Sequence, residues 1–108
     1  MPSANREVCR QLSYACAEAC EACSKNGLLL GNTMKDCVRL CLFCKSICLA
    51  CGDLVLSVDA KESCRLCARI CLECYQECLK HEGNHYCKTC AEACRTCRQK
   101  CIEVASTI

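Results

Sequence analysis

The stretch C-R-L-C-A-R-I-C-L-E-C-Y-Q-E-C, from Cys64 to Cys78, places cysteines at steps of three, four, three and four residues. Steps of three and four keep side chains on one face of an α-helix, whereas the side chains of a strand alternate every two residues. The segment is therefore predicted to be a helix whose buried face is made of thiol groups.

Alternating steps of three and four occur in four blocks along the chain, as 4-3-4-3 in the first two and 3-4-3-4 in the last two. Each block extends over 14 residue steps from its first cysteine to its last. The first block lacks one cysteine, and its spacing places Ser13 at the missing position. The sequence thus predicts twenty inward positions, 19 of them cysteine. The candidate metal ligands are Cys9, Cys16, Cys20, Cys23; Cys37, Cys41, Cys44, Cys48, Cys51; Cys64, Cys67, Cys71, Cys74, Cys78; and Cys87, Cys90, Cys94, Cys97, Cys101.

Turn signals separate the four blocks. Asn26-Gly27 is predicted to end the first helix, and Gly83-Asn84 separates the third from the fourth. Short connections between helices of similar length favour an all-α, up-down-up-down antiparallel four-helix bundle with a cysteine-lined core. A chain of 108 residues is predicted to form one domain, residues 1–108.

The start of the second and third helices is predicted from two capping-box patterns. These are T-M-K-D at residues 33–36 and D-A-K-E at residues 59–62. The second helix is expected to continue through Gly52 to about Ser57, although an interior glycine costs about 1 kcal/mol.

Composition and termini bear on the cellular compartment. Nineteen cysteines would indicate a disulfide scaffold in a secreted chain. The N-terminal residues M-P-S-A-N-R-E-V-C-R, however, contain no apolar signal region, and no run approaches the roughly 20 apolar residues of a membrane span. We therefore expect a cytoplasmic protein with no membrane partner. Reducing cytosol keeps thiols free, which favours metal binding or redox chemistry.

Several functions of a thiol-lined face remain open at this point. Cysteine can pack as a small hydrophobe, and disulfides along a helix are a second possibility, although strict bridge geometry disfavours a full series. A dithiol oxidoreductase would need one privileged C-x-x-C pair with a lowered thiol pKa. No pair is distinguished here and no catalytic constellation is present in the sequence, so no enzymatic activity is predicted.

Metal binding explains the pattern better, because cysteines three or four residues apart on a helix can hold one ion between them. Thiolates select Cu(I), Zn(II) or iron–sulfur clusters. Zinc prefers four tetrahedral ligands from converging pairs, and iron–sulfur motifs have a different spacing. Cu(I) accepts two or three sulfurs, and bridging thiolates allow about one Cu(I) per cysteine. A zinc or mixed soft-metal buffer is the alternative.

Charge favours the same metal. The chain carries a formal net charge of +2, so the loss of 19 thiol protons would leave a large negative charge in the core. About one Cu(I) per thiolate restores the original charge. Metal loading and thiol deprotonation are therefore expected to occur together.

The chain resembles the four-helix-bundle copper storage proteins, a cysteine-rich family once known only as a domain of unknown function. The most specific part is K-H-E-G-N-H-Y-C-K-T-C-A-E-A-C-R-T-C-R-Q-K-C, from Lys80 to Cys101, and the resemblance covers nearly the whole chain. It implies storage of many Cu(I) ions inside each bundle, a tetrameric assembly and, for members without an export signal, a cytosolic location. Ser13 departs from the full cysteine pattern.

The two ends of the bundle are predicted to differ. Met34 and His81 lie three residues beyond the outermost cysteines of their helices, and His85 lies two residues before Cys87. These three residues are candidate copper ligands at one end. The opposite end is predicted to be an apolar plug made of Val55, Val58, Ala60, Val104 and Ile108.

The outer surface suggests self-association. The second helix carries two apolar flanks and the third adds further apolar residues, which indicates a partner surface. The residues are Leu40, Ile47 and Leu54; Leu42, Leu49 and Leu56, with Phe43; and Leu66, Ile70 and Leu72. We expect a homo-oligomer, with copper-delivering proteins or small thiols as further partners. A net charge of +2 gives no electrostatic case for nucleic acid.

Overall fold

The computed structural model describes residues 2–108 and the side chains of residues 4–108. Its helices are α1 (Pro2–Leu30), α2 (Lys35–Leu54), α3 (Ala60–Cys78) and α4 (His85–Ser106), with a 3-10 turn at Asn32–Met34. Each helix packs against two neighbours in the cyclic order α1, α2, α3, α4, within overall dimensions of 43 × 19 × 17 Å. The predicted all-α four-helix bundle is confirmed. None of the described helices is long and apolar enough to cross a membrane.

The predicted end of α1 at Asn26-Gly27 is wrong, because the helix continues to Leu30. Gly27 is buried inside the helix, and Val38 of α2 lies only 2.7 Å from the position that a Cβ atom would occupy. The glycine therefore permits close packing of α1 against α2. The helix ends instead before Gly31, whose φ of 90° is accessible to glycine at little cost.

The α2 helix ends at Leu54, three residues before the predicted end at Ser57. The Ser57 hydroxyl donates to the Leu54 carbonyl at 2.6 Å and accepts from the Asp59 amide at 3.1 Å. A side chain that bonds to nearby backbone in this way competes with helix continuation. Gly52 is helical, as expected, and the Tyr14 ring of α1 packs against it where a Cβ would lie.

Neither predicted capping box forms, although α3 does begin after Asp59 as predicted. The N-cap residues of α2 and α3 are Met34 and Asp59, and neither side chain accepts a hydrogen bond from the backbone of its helix. The 3-10 turn takes the place of a capping box before α2. At the start of α4 the Asn84 side chain does cap the helix, accepting from the Cys87 amide at 3.0 Å. It also donates to Asn26 of α1 at 3.1 Å, which ties the two helices together at this end.

Candidate metal centre

All 19 cysteines are buried, none more than 2% exposed, and all are free thiols. Each cysteine block lies on one face of a helix, so the predicted inward orientation is confirmed. The remaining buried apolar residues of the described chain are Ala17, Met34, Val55, Ala60, Ala68, Ile70, Ala91 and Val104. Sulfur thus occupies most of the volume that leucine and phenylalanine fill in an ordinary bundle.

Packing of the helices arranges the thiols in five layers, with one residue from each helix in each layer. Within a layer, neighbouring Sγ atoms lie 3.6–4.0 Å apart. Layer 1 is Cys9, Cys51, Cys64 and Cys101; layer 2 is Ser13, Cys48, Cys67 and Cys97; layer 3 is Cys16, Cys44, Cys71 and Cys94; layer 4 is Cys20, Cys41, Cys74 and Cys90; layer 5 is Cys23, Cys37, Cys78 and Cys87.

The spacing within a layer suits a shared metal ion better than a disulfide. The four Sγ atoms of layer 1 all lie within 4.8 Å of one another, as do those of layer 3. A disulfide requires sulfur atoms about 2.05 Å apart. Metal–sulfur bonds of about 2.3 Å, as in zinc thiolates, allow one ion to bridge sulfurs up to about 4.6 Å apart.

Contacts between layers make the thiols continuous along the bundle axis. Cys37 and Cys41 connect layers 5 and 4 at 4.0 Å, and Cys97 and Cys101 connect layers 2 and 1 at 4.0 Å. Layers 3 and 2 are joined through Cys48, whose Sγ lies 3.8 Å from that of Cys44 and 3.7 Å from that of Cys71. Cys94 of layer 3 groups within 4.8 Å with three cysteines of layer 4. We call this series of sulfur contacts the thiol ladder.

Ser13 is the one position of the ladder without sulfur. It is fully buried, and its Oγ lies 3.6 Å from the Sγ of Cys97. Its predicted inward position in layer 2 is therefore confirmed, and layer 2 offers three thiols where the other layers offer four.

The structure brings two of the three candidate ligands at the layer-5 end to one cavity. His81 and His85 line a surface cavity of about 650 Å³ between α3 and α4, together with Cys78 of layer 5. His81 is partly buried, and His85 is exposed and packs edge-on against Tyr86. Met34 does not line this cavity; it is 5% exposed and packs in the core beyond layer 5.

Glu77 is a residue of this end that the sequence reasoning missed. Its carboxylate lies 3.1 Å from His81 Nε2 and accepts a hydrogen bond from Lys80 at 3.1 Å. The four-residue step from Glu77 to His81 on a predicted helix is the signal that could have identified the pair. The carboxylate orients the imidazole beside the cavity.

The predicted apolar plug at the layer-1 end is correct in part. Val55, Ala60 and Val104 are buried there. The prediction for Val58 is wrong, because this residue is 99% exposed. The α2 helix ends at Leu54, so the helical spacing that placed Val58 on the inward face does not extend to it. Ile108 is also exposed, since it lies beyond the end of α4.

Burial affects the protonation of the core thiols. It raises the pKa of Cys87 to about 11. Contacts with the neighbouring thiols of Cys16 and Cys20 help to raise the pKa of Cys94 above its ordinary value. These thiols are therefore protonated at neutral pH in the absence of metal, and metal binding must displace their protons.

We expect the metal-free protein to lose stability as the pH rises from about 8.5 to about 11. A thiol in the unfolded chain titrates near 8.5, so in this interval the unfolded chain has released a proton that folded Cys87 retains. The free energy of unfolding is thus highest below pH 8.5 and falls as the pH rises towards 11. Anaerobic urea unfolding at several pH values measures the effect, and the Cys87→Ser variant should show a shallower decline. An unfolding midpoint that stays constant over this interval would contradict the prediction.

A four-helix bundle whose core is a continuous ladder of reduced thiols defines a class of protein that holds soft metal ions inside its own fold. The family profile described as copper storage protein matches residues 3–106. The chain therefore belongs to the copper storage protein family, as its resemblance indicates.

Solved structures agree with this assignment. A cytosolic copper storage protein from Streptomyces lividans, in a structure of copper loading with five coppers, is 29% identical with a TM-score of 0.87 over 98% of each chain. A second structure from Streptomyces lividans, loaded with 10 copper equivalents, is 29% identical with a TM-score of 0.88 over 96% of this chain and 86% of its own. The Cu(I)-bound copper storage protein BsCsp3 is 34% identical with a TM-score of 0.87 over 94% of this chain and 98% of its own. No curated protein matches the chain.

Proposed function

We propose that this protein stores or sequesters Cu(I) in the cytoplasm, with the 19 core cysteines as ligands and about one Cu(I) bound per cysteine. The continuity of the thiol ladder is the observation that supports this most directly. A thiolate in contact with sulfurs in its own layer and in the next can bridge two ions. We propose a non-enzymatic role, to which membership of the copper storage protein family points. The cytosolic description of the similar Streptomyces lividans protein supports the location.

A zinc buffer is the second candidate, and one observation favours it. Sγ separations of 3.7–4.0 Å around layer 1 are close to the edge of about 3.8 Å in a tetrahedron of sulfurs with metal bonds of about 2.3 Å. Charge favours copper. One Zn(II) in each of five layers would neutralise only about half of the thiolates, whereas one Cu(I) per thiolate neutralises all of them.

Anaerobic titration of the reduced protein with Cu(I), against a competing chelator, should saturate at about one ion per cysteine. The reason is that bridging thiolates, unlike closed tetrahedral sites, share their sulfurs between ions. Chelator absorbance and elemental analysis measure the number of ions. The Ser13→Cys variant, which completes layer 2, should take up about one ion more.

Saturation of the same sample at about one ion per layer, with Zn(II) able to displace Cu(I), would contradict copper storage and favour the zinc buffer. Ser13→Ala serves as the matched control for Ser13→Cys. It removes the hydroxyl without adding sulfur, and its capacity should equal that of the parent protein.

We further propose that copper is received at the layer-5 end, with His81, His85 and Met34 as transient ligands. The cavity shared by His81, His85 and Cys78 supports this, because it places two imidazoles beside a cysteine of layer 5. The expected donors are copper-delivering proteins or small thiols. No nucleic-acid or membrane partner is proposed.

Self-association is proposed through the outer face of α2, and a tetramer is the expected state. Leu42, Phe43 and Leu49 are exposed along this helix, and Leu56 is exposed just after its end. Ile70, predicted for the same surface, is buried instead. Apolar residues exposed in a line on a small bundle usually mark an interface.

Replacing Leu42 and Leu49 together with glutamate should convert the oligomer to monomers that still bind copper. Two charges placed at an apolar interface lose their hydration on association, so the oligomer dissociates. Sedimentation velocity at micromolar concentration measures the mass. Val8→Glu, at an exposed apolar position on α1, is the control and should leave the mass unchanged. A parent protein that sediments as a monomer would refute the proposal.

A further inference from the structure

A second cavity lies in the α3–α4 seam, at the opposite end of these helices from the two histidines. Its volume is about 680 Å³, and four basic side chains line it: Lys61, Arg65, Arg69 and Arg98. The three on α3 are spaced four residues apart, so they share one face of that helix. Within the described chain, no aspartate or glutamate lines this cavity.

The basic side chains have few counter-charges. Arg65 lies 3.8 Å from Glu62, and both side chains are exposed, so the pair is weak. Among residues 4–108, Lys61, Arg69 and Arg98 form no ion pair. The Arg98 Nε is buried and donates to no group of the described chain. Four like charges around one cavity, with an unsatisfied buried donor among them, favour the binding of an anion there.

We propose that this cavity binds a small organic anion carrying at least two phosphate or carboxylate groups. Arginine guanidinium groups match both of these anions in paired, charge-assisted hydrogen bonds. The volume lies within the range of about 300–1,000 Å³ that is typical of small-molecule sites. Leu72, Ile102 and Ala105 also line the cavity, and this apolar wall can contact the carbon skeleton of an organic anion.

The site is separate from the metal centre, although it borders it. Cys64 and Cys101 of layer 1 line the inner wall of the cavity, yet both are fully buried. The anion is therefore held by the basic side chains and does not displace copper. Its binding and copper capacity are expected to be independent.

Isothermal titration calorimetry on the reduced full chain at low ionic strength tests the proposal, with pyrophosphate and citrate as probes. Saturable binding of either probe is expected, and the tighter one identifies phosphate or carboxylate as the preferred group. Arg69→Gln and Arg98→Gln should each weaken binding at least tenfold. Arg39→Gln, an exposed arginine on α2 outside the cavity, is the matched control and should bind as the parent does.

Absence of saturable binding of both probes would overturn the proposal, as would equal weakening in Arg39→Gln, which indicates only diffuse charge. A short single-stranded oligonucleotide that binds more tightly than both probes would also overturn it. Circular dichroism verifies that the variants are folded. If Arg98→Gln does not fold, Lys61→Gln at the start of α3 replaces it as the test variant. Copper capacity should stay unchanged in every variant, so failure here is distinguishable from failure of copper storage.

Discussion

Full loading with Cu(I) should raise the thermal unfolding midpoint of the reduced protein by several tens of degrees. Ligands that bind only the folded state stabilise it by about 4 kcal/mol for each site at a free concentration 1,000 times its dissociation constant. The whole free energy of unfolding of a small domain is only about 5–15 kcal/mol. A few filled sites in the thiol ladder therefore contribute as much as the entire metal-free fold.

The metal-free protein is expected to have a low free energy of unfolding. Its core is built from thiols in place of larger apolar side chains, and cysteine buries less apolar area than leucine. Copper ions bonded to sulfurs on different helices are also expected to cross-link neighbouring helices within each layer. The metal-free state should thus be the less stable of the two by a wide margin.

Anaerobic differential scanning calorimetry at increasing copper ratios measures the change. The Cys44→Ser, Cys71→Ser double variant, with two thiols fewer in layer 3, is the matched control and should show a smaller increase. Removal of copper by a strong chelator should restore the original midpoint. A fully loaded protein that melts within a few degrees of the metal-free protein would show that copper is not held within the ladder.

Copper uptake should slow at least tenfold when His81, His85 and Met34 are replaced together by alanine. The packed helices close the flanks of the core, and the layer-5 cavity is lined by both histidines and by Cys78, a residue of the ladder. Imidazole and thioether hold Cu(I) less tightly than thiolate, which suits ligands that pass the ion inward. Stopped-flow loading from a Cu(I)–chelator complex measures the rate, and final capacity should fall by only a few ions.

Two control variants separate the rate of copper uptake from the final capacity. Cys44→Ser in layer 3 should cost capacity with little effect on the initial rate, the reverse of the triple variant. Met34→Ala alone separates a ligand role from packing, because Met34 is buried and its truncation leaves a cavity. If the triple variant loads at the parental rate while Val104→Trp at the plug changes it, copper enters at the layer-1 end.

The middle of the bundle could be predicted from the sequence because spacing alone decides it. Five cysteines in register on a helix must share a face, and up-down packing then groups them in layers. Even the exception at Ser13 follows from counting residues. The thiol ladder is therefore a consequence of local periodicity, which a sequence carries explicitly.

The ends could not be predicted in the same way, because contacts between helices decide them. Asn26-Gly27 in the sequence predicts the end of a helix. In the structure, Gly27 lies within α1 and allows Val38 of α2 to pack closely against it. The termination of α2 depends on the hydroxyl of Ser57, which competes for the backbone. The basic cavity between α3 and α4 likewise depends on the register of two helices, so Arg98 is placed beside Arg69 only by the fold.

A core made of cysteines that are proposed to bind the stored copper also limits which substitutions this protein can accept during evolution. In most folds the interior tolerates exchange among apolar residues of similar volume. In the proposed function each such exchange at a cysteine removes a copper ligand, so adaptation to heat has to be found in the turns and helix seams. Gly31, the Asn84 cap and the Tyr14–Gly52 contact are of that kind. Selection for capacity and selection for the stability of the metal-free fold therefore act on separate sets of residues, the first inside the bundle and the second around it.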